Sequence, residues 1–324
     1  MSGRYEHQTQ INKVTKEGLA GYPDIIHEYY KKSAGLQASS RQVFVNNAKR
    51  FVDYLKARGV DVNGEWYKDI TPDDISEYLD FIKVKKLRCG REKIMSDVSL
   101  KNVWAALNNF FDFLKRKHYI DVNPAEEMKD ELPNYRDIKK VVYMTVEEVE
   151  EVKQKIINES KMPNRDLCIF MLGCRTGMRS SAITEIDISD IDFENMVITV
   201  VEKGNVHKDV IIDPDTIQLI NNCIEERGDV PGEDALFLRK RPHHTQRINA
   251  WDMRQILEKY TIDLNKRITP HKMRSTCATN LYIQTGDIYI VADRLGHRNI
   301  ENTRRYTDTV DKSRNAAKIM GNLF

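Results

Sequence analysis

The chain has 324 residues, of which 40% are hydrophobic and 31% are charged, and its formal net charge is +2. This length allows two domains with separate cores, and no apolar run approaches the roughly 18 residues that would suggest a membrane span. The polar segment from Met1 to Thr15 lacks the apolar core of a signal peptide. The five cysteines show no Cys-x-x-Cys spacing, which favours buried free thiols in a reducing compartment.

The first 129 residues predict a short N-terminal extension, residues 1–22, and then a small helical domain, residues 23–129. A weak helix is expected near residues 24–32, and residues 41–58 carry one apolar face. Thr71 and Pro72 have the pattern of a helix start. Ser96 opens a longer helix whose apolar residues recur at helical spacing: Leu100, Val103, Trp104, Leu107, Phe111 and Leu114. We therefore expect four helices, with Trp104, Phe110, Phe111 and Phe113 in their core.

The later residues predict a mixed domain. An exposed linker is expected at residues 130–144, and Thr145 with Glu148 has the spacing of a capping box that begins a domain at residues 145–310. Helices are expected at residues 165–178, 214–227, 248–260, 270–285 and 287–295. The β-branched residues 197–201 are expected to turn at Gly204 and pair with residues 210–212, in a two- or three-stranded sheet whose third strand would be residues 235–237. The predicted fold class is mainly α with a small antiparallel β-sheet, and residues 311–324 form a tail.

Six polar residues in the C-terminal half occur in an order that suits one reacting phosphate: Arg179, Lys203, His271, Arg274, His297 and Tyr306. Each has an ordinary alternative when taken singly. The arginines could form surface salt bridges, the lysine could be a solvated hairpin residue, the histidines could be structural, and the tyrosine could be half-buried packing. Chance agreement of all these elements in order and spacing is improbable.

The chemistry follows from the side-chain types. The phenol of Tyr306 could attack phosphorus and form a covalent link that conserves the energy of the broken bond. The guanidinium groups of Arg179 and Arg274 suit two non-bridging oxygens and the charge of the transition state. Lys203 would protonate the departing 5′ oxygen, and His271 would assist the phenol's proton transfer or donate to the phosphate. His297 would be a further phosphate donor. No motif supplies a carboxylate pair for metal ions, so neither a metal nor another cofactor is expected.

From Arg175 to Tyr306 the chain resembles the catalytic domain of the tyrosine recombinases, the phage integrase family that includes the Xer-type enzymes. The resemblance rests on Thr176–Ser181, on the step to Lys203, on Thr269–Arg274, and on Leu295–His297 with Thr303 and Tyr306. It implies a site-specific recombinase that cleaves and rejoins DNA through a 3′-phosphotyrosyl intermediate, without metal or ATP. The helical first domain is similar in pattern to the family's core-binding domain.

The resemblance also implies partners and a location. The implied partners are double-stranded DNA, further copies of the chain in a tetramer on paired sites, and accessory or directionality factors. The implied location is the cytoplasm of a prokaryote, at the nucleoid, with no membrane contact. The apolar side of the tail would dock onto a neighbouring protomer. Two positions depart from the family's pattern: Ala182 stands where an acid is frequent, and Asp308 stands where a histidine is frequent.

Basic residues suggest where DNA backbone contacts would lie. Three clusters are candidates: Lys83, Lys85, Lys86, Arg88, Arg91 and Lys93 between two helices; Lys115, Arg116 and Lys117 at the end of a helix; and Arg239, Lys240 and Arg241 in a basic loop. Each cluster could also be an ordinary solvated surface.

The biological role has several alternatives at this point. Integration or excision of a mobile element and Xer-like resolution both fit. A type IB-like topoisomerase would share the chemistry without pairing two sites. A catalytically idle DNA-binding protein would keep the architecture, although it would have no need to retain Tyr306, both arginines and the lysine.

Overall fold

The structure is a computed structural model that describes residues 3–86, 92–131, 141–202, 206–241, 244–297 and 299–307. It divides into two compact units, Met1–Asp137 and Ile138–Phe324. Each unit has a hydrophobic core of its own. The domain boundaries assigned from the sequence stay predictions.

The first unit is a helical domain. Its helices are α1 (Gly3–Glu17), α2 (Asp24–Lys32), α3 (Ala38–Ala57), α4 (Pro72–Lys83), α5 (Asp97–Arg116) and α6 (Pro124–Glu127), with 3-10 turns at Ser33–Gly35, Trp66–Lys68 and Met128–Glu131. Helix α4 begins where the sequence predicts, because the Thr71 side chain caps the backbone of Asp74 and the Asp74 carboxylate caps Thr71 in return. The core is rich in aromatic rings, and Trp104, Phe110, Phe111 and Phe113 are all buried in it, as expected.

Two features of this unit were not predicted. Helix α1 occupies most of the expected extension and packs on α3, although its sequence is mostly polar. The basic stretch between α4 and α5 is an antiparallel hairpin of β1 (Val84–Lys86) and β2 (Glu92–Ile94), in which Val84 pairs with Ile94.

The second unit combines helices with two small sheets. Its helices are α7 (Val146–Glu159), α8 (Pro163–Thr176), α9 (Ser180–Thr184), α10 (Pro214–Arg227), α11 (Ala250–Tyr260), α12 (Pro270–Thr285), α13 (Ile288–Leu295) and α14 (Glu301–Thr307). Its strands are β3 (Ile191–Asp192), β4 (Val197–Glu202), β5 (Val206–Ile211), β6 (Leu238–Arg241) and β7 (His244–Arg247), and a 3-10 turn spans Ile188–Asp190. The predicted fold class, mainly helical with small antiparallel sheets, is confirmed.

The three-stranded sheet differs from the prediction at its third strand. The order is β3-β4-β5, and Thr199 on β4 stands opposite Asp209 on β5. Residues 235–237 were expected to supply the third strand, and this was wrong. Ala235 makes only an isolated bridge to Asp187, while Leu236 and Phe237 are fully buried in the core. The third strand is β3, which directly precedes β4 in the chain and pairs with it.

The end of the expected linker belongs to the second unit. Val141 and Met144 are buried, and the Met144 amide donates to the Thr276 hydroxyl at 2.9 Å. Asn280 donates to the Met144 carbonyl at 3.0 Å, so α12 holds this segment on both sides of one residue. Residues 141–144 are therefore not an exposed connection.

Within the described ranges, no helix combines the length and the apolar character that crossing a membrane requires. Among these same residues, no group of three or more histidine, cysteine or acidic side chains is placed to hold a metal ion.

Candidate active site

Arg274 joins the three motifs of the second unit at one point. It lies in the first turns of α12 and is only 4% exposed. Its Nη1 donates to the carbonyl of Gly177 at 2.6 Å, and its Nη2 donates to the carbonyl of Leu295 at 2.6 Å. Gly177 stands two residues before Arg179, and Leu295 stands two residues before His297. One buried guanidinium therefore brings together segments that are about a hundred and about twenty residues away from it in the chain.

Two helix ends allow this convergence. Helix α8 ends at Gly177 and α13 ends at Gly296, both in the left-handed conformation with φ of 64° and 68°. A Cβ at Gly177 would lie 2.6 Å from the Leu295 Cδ2 atom, closer than real side chains allow. Glycine is therefore required at position 177 for two reasons, the sign of φ and the close approach of α13.

Arg179 stands at the start of α9 with its side chain exposed. Its backbone is extended, so the residue precedes the helix and lies immediately after the Gly177 turn. Ala182, on the same short helix, is 4% exposed and packs in the hydrophobic core of the unit. The position at which the family resemblance led us to expect an acid is thus occupied by a buried apolar side chain in this chain.

Tyr306 is enclosed. It lies on α14, is 1% exposed, and packs against Val141, Ala278, Val291 and Leu295. From the sequence, half-buried packing was only the ordinary alternative for this tyrosine. Since almost no surface of the residue is open, its hydroxyl cannot meet a DNA phosphate while α14 keeps this position.

His297 stacks beside Tyr306. The two rings are nearly parallel, with an interplanar angle of 9° and 6.5 Å between centroids. The His297 Nδ1 atom is 2.8 Å from the hydroxyl of Thr303, which is completely buried. Thr303 therefore fixes the orientation of the imidazole, and the sequence had pointed to this threonine only as part of the third motif.

His271 lies near the beginning of α12, with part of its surface open to solvent and part of it covered by neighbouring groups. Its Nε2 atom is 2.8 Å from Nη2 of Arg305, the residue before Tyr306. The pKa of His271 is lowered from its usual 6.5, first by partial burial and then by the positive charges of Arg305, Lys272, Arg274 and Arg179. Both motif arginines thus act on His271, and the ring is neutral near pH 7.

Lys208 and Arg294 support the site without having been predicted. The Nζ atom of Lys208, on β5, lies 3.2 Å from the carbonyl of Arg294, and a Cβ at Gly296 would be 2.8 Å from that Nζ. Arg294 donates to the carbonyl of Arg175 at 2.9 Å and to that of Ile211 at 2.8 Å. These bonds tie α13 to α8 and to the sheet. Lys203, the predicted acid, lies outside the described residues.

The residues predicted to contact DNA fall into different settings. Lys83 is exposed at the end of α4, Lys85 and Lys86 lie on β1, and Lys93 lies on β2, whereas Arg88 and Arg91 are outside the described residues. Lys115, Arg116 and Lys117 are exposed at the end of α5, with Lys115 3.6 Å from Glu126. Lys240 and Arg241 lie on β6, and Arg239 there forms an ion pair with the buried Asp252. The third cluster is thus a strand and not a loop, and Arg239 has a structural partner.

Comparison with known proteins decides the family. The family described as the phage integrase family matches residues 143–313, more than half of the chain. The chain belongs to the phage integrase family. It is a site-specific tyrosine recombinase of the Xer and integrase type, an enzyme that cleaves and rejoins DNA. The matched segment contains all six predicted catalytic residues.

Similar family members cover almost the whole chain. Tyrosine recombinase XerS of Streptococcus agalactiae serotype III (strain NEM316) is 25% identical over 91% of this chain and 94% of its own length. Tyrosine recombinase XerC of Vibrio vulnificus (strain YJ016) is 26% identical over 92% of this chain and 90% of its own. Among solved structures, the XerH site-specific recombinase bound to palindromic difH substrate has a TM-score of 0.69, with 22% identity over 91% of this chain and 84% of that one. The Tn1549 transposon integrase in complex with circular intermediate DNA has a TM-score of 0.65, with 18% identity over 91% and 98%.

Proposed function

We propose that Tyr306 is the nucleophile of this recombinase and that Arg179, Lys203, His271, Arg274 and His297 complete its active site. The single observation that carries the assignment is the buried guanidinium of Arg274, which bonds to the turns that precede Arg179 and His297. If these residues were unrelated surface groups, nothing would require the three motifs to meet at one buried arginine.

The division of labour follows from burial and charge. Arg179 is exposed, and its planar fork suits two oxygens of the phosphodiester. Arg274 donates hydrogen bonds to two carbonyl oxygens, so it holds the site together and adds positive charge to it. His271 is neutral near pH 7 and can accept the proton of the phenol. Lys203 is the acid that protonates the departing 5′ oxygen.

The burial of Tyr306 adds a step before chemistry. Helix α14 has seven residues and must shift for the phenol to reach the phosphorus. Attack then forms the Tyr306 Oη–P bond and breaks the bond between phosphorus and the 5′ oxygen, which leaves a 3′-phosphotyrosyl link. The reverse displacement by a 5′ hydroxyl rejoins the strand and frees the tyrosine, so no ATP is consumed.

The partner is double-stranded DNA, held by the basic residues at the ends of α4 and α5 and on the β1–β2 hairpin. Similar proteins support this, since the XerH structure is a complex with difH and the Tn1549 integrase structure is a complex with circular intermediate DNA. We propose a tetramer on paired sites, with the tail at residues 311–324 docked on a neighbouring protomer and with accessory factors. Integration or excision of a mobile element and Xer-like resolution fit this enzyme equally well.

The test is capture of the covalent intermediate. The protein is incubated with nicked suicide duplexes cut from the DNA that flanks its gene, and adducts are separated on denaturing gels. Wild type is expected to form a protein–DNA adduct and Tyr306→Phe none. Tyr282→Phe is the matched control, because Tyr282 packs against the same apolar cluster and should still form the adduct. An adduct in the Tyr306→Phe protein would refute the assignment.

A further inference from the structure

Arg305 makes two contacts that place it between two of the proposed active-site groups. Its Cζ atom lies 5.1 Å from the centroid of the Tyr306 ring, and its Nη2 atom lies 2.8 Å from Nε2 of His271. One guanidinium thus joins α14, which carries the nucleophile, to the start of α12. The preceding residue, Arg304, is exposed and pairs with Glu301 on its own helix at 3.4 Å. The two neighbouring arginines on this helix therefore have different interaction partners.

The contact with His271 fixes the chemistry of the imidazole. Arginine carries only donors, so the Nε2 atom that meets Arg305 must accept. An accepting Nε2 has its lone pair toward the guanidinium, and the ring proton is then on Nδ1. A protonated imidazole would have two N–H groups and would present a donor to a donor, beside a positive charge. The Arg305 contact is therefore compatible with one form of His271 alone, the neutral Nδ1–H tautomer.

We propose that Arg305 is a positioning residue of the cleavage reaction, which holds His271 neutral with its Nε2 lone pair directed toward α14 and the nucleophile. This inference rests on the proposed function, in which His271 accepts the phenol proton. When α14 shifts to expose Tyr306, Arg305 moves with it and leaves Nε2 open. Exposure of the nucleophile and release of the base are then a single event, because Tyr306 and the arginine that contacts His271 are adjacent residues of one short helix.

The surroundings of His271 agree with this role. The groups that act on it are Arg305 from α14, Lys272 and Arg274 from α12, and Arg179 from the start of α9, and all are cations. Partial burial and these charges together lower the pKa of the imidazole, with Arg305 the largest of the charges. Arg305 also lowers the pKa of Lys272, after burial.

The contact can be tested in the full chain without DNA. Nitrogen NMR of the imidazoles reports the tautomer and the protonation of each ring, and the His271 signal is identified by its loss in His271→Gln. Wild type should show the Nδ1–H tautomer. Arg305→Met should raise the pKa of His271, while Arg304→Met, which removes the same charge from the same helix, should leave it in place. An Nε2–H tautomer in wild type, or an unchanged His271 in Arg305→Met, would overturn the proposal.

The consequence for the reaction is tested by the pH profile of adduct formation on suicide duplexes. In Arg305→Met the low-pH part of the profile, where protonation of His271 lowers the rate of adduct formation, should move to higher pH. At a pH below this part of the profile, each pH unit of the shift corresponds to a tenfold loss of rate. At high pH, where protonation of His271 no longer limits the rate, the deficit of Arg305→Met should shrink to the part that comes from lost positioning. Arg305→Lys should return the low-pH part of the profile toward wild type, since it restores the charge. An equal loss at every pH would mean a merely structural role and would reject the proposal.

The two experiments separate the two levels of inference. If the wild-type chain formed no adduct, the proposed function would fail, while the NMR result would still decide whether Arg305 sets the state of His271. If the adduct formed normally but Arg305→Met left the pH profile unchanged, the proposed function would stand and the role of Arg305 would be refuted.

Discussion

Substitution of Gly177 by alanine tests the geometry on which the site depends. Gly177 has φ of 64°, and its added methyl group would lie 2.6 Å from Leu295 Cδ2 and 3.2 Å from Cys277 Sγ. The left-handed conformation costs about 1 kcal/mol for alanine, and overpacking costs about 1–3 kcal/mol. We therefore expect a loss of about 2–4 kcal/mol in the free energy of unfolding, or a fall of about 4–16 °C in the melting temperature of the second unit.

Gly286→Ala is the matched control for this change. Gly286 ends α12 with φ of 66°, and among the described residues no atom lies within 4 Å of the position that its Cβ would take. Gly286→Ala should lose only the cost of the left-handed backbone conformation, about 1 kcal/mol in the free energy of unfolding, or about 2–4 °C in melting temperature. Calorimetry of the full chain compares the two variants, and their difference isolates the collision with α13.

The substitution should also lower activity beyond its effect on folding. The carbonyl of Gly177 accepts the hydrogen bond from Arg274 Nη1, so any displacement of the turn moves the guanidinium. Adduct formation, measured at a temperature at which both variants are folded, should fall by about tenfold or more in Gly177→Ala, as for a loss of about 1.4 kcal/mol or more. It should be unchanged in Gly286→Ala. If Gly177→Ala were no less stable and no less active than Gly286→Ala, the reasoning about close approach would be wrong.

Three other substitutions or treatments have defined outcomes. Thr303→Val removes the hydrogen bond to His297 and should lower the rate of adduct formation about tenfold. Thr303→Ser keeps the hydroxyl and should retain the rate. Equal rates for the two variants would show that this bond does not orient the imidazole ring. Because the pKa of His271 is lowered in the folded chain by partial burial and neighbouring cations, the unfolded chain binds its proton more readily, and stability should fall as the pH drops below about 6.5. Over that pH range the melting temperature of His271→Gln should fall less than that of wild type. The same pH dependence in both proteins would contradict this prediction. Burial raises the pKa of Cys168 and Cys277, so both thiols should resist iodoacetamide until the chain unfolds, as measured by peptide mapping. Rapid alkylation of either thiol in the native chain would contradict its burial.

Local signals in the sequence predicted most of the helices. The helices expected at residues 214–227 and 270–285 coincide with Pro214–Arg227 and Pro270–Thr285, because each begins with proline in its first turn and is followed by a residue that ends it. The sheets were harder to predict. Strand pairing depends on neighbours distant in the chain, so the two-residue strand Ile191–Asp192 could not be told from a turn. Helix α1 was missed because its sequence lacks an apolar stripe.

For the candidate site, too, the sequence predicted local features and missed contacts between segments that are distant in the chain. Motifs identified the residue types and their order, because each motif is a short segment. The bonds of Arg274 to two carbonyl groups, and the contact of Arg305 with His271, depend on which segments meet in space. The burial of Tyr306 follows from the packing of Val141 and of α12 and α13 around it, and none of these lies within its own motif.

The enclosure of Tyr306 also bears on how often a DNA-cleaving enzyme of this kind cuts at an incorrect site. If Tyr306 is the nucleophile, as proposed above, a molecule that collides with other DNA presents no exposed nucleophile, and binding and cleavage become separate events. Accidental nicks are then limited by how rarely α14 opens and not by how often the protein meets a duplex. Discrimination between correct and incorrect sites can therefore operate after binding, through whatever assembly displaces this one short helix.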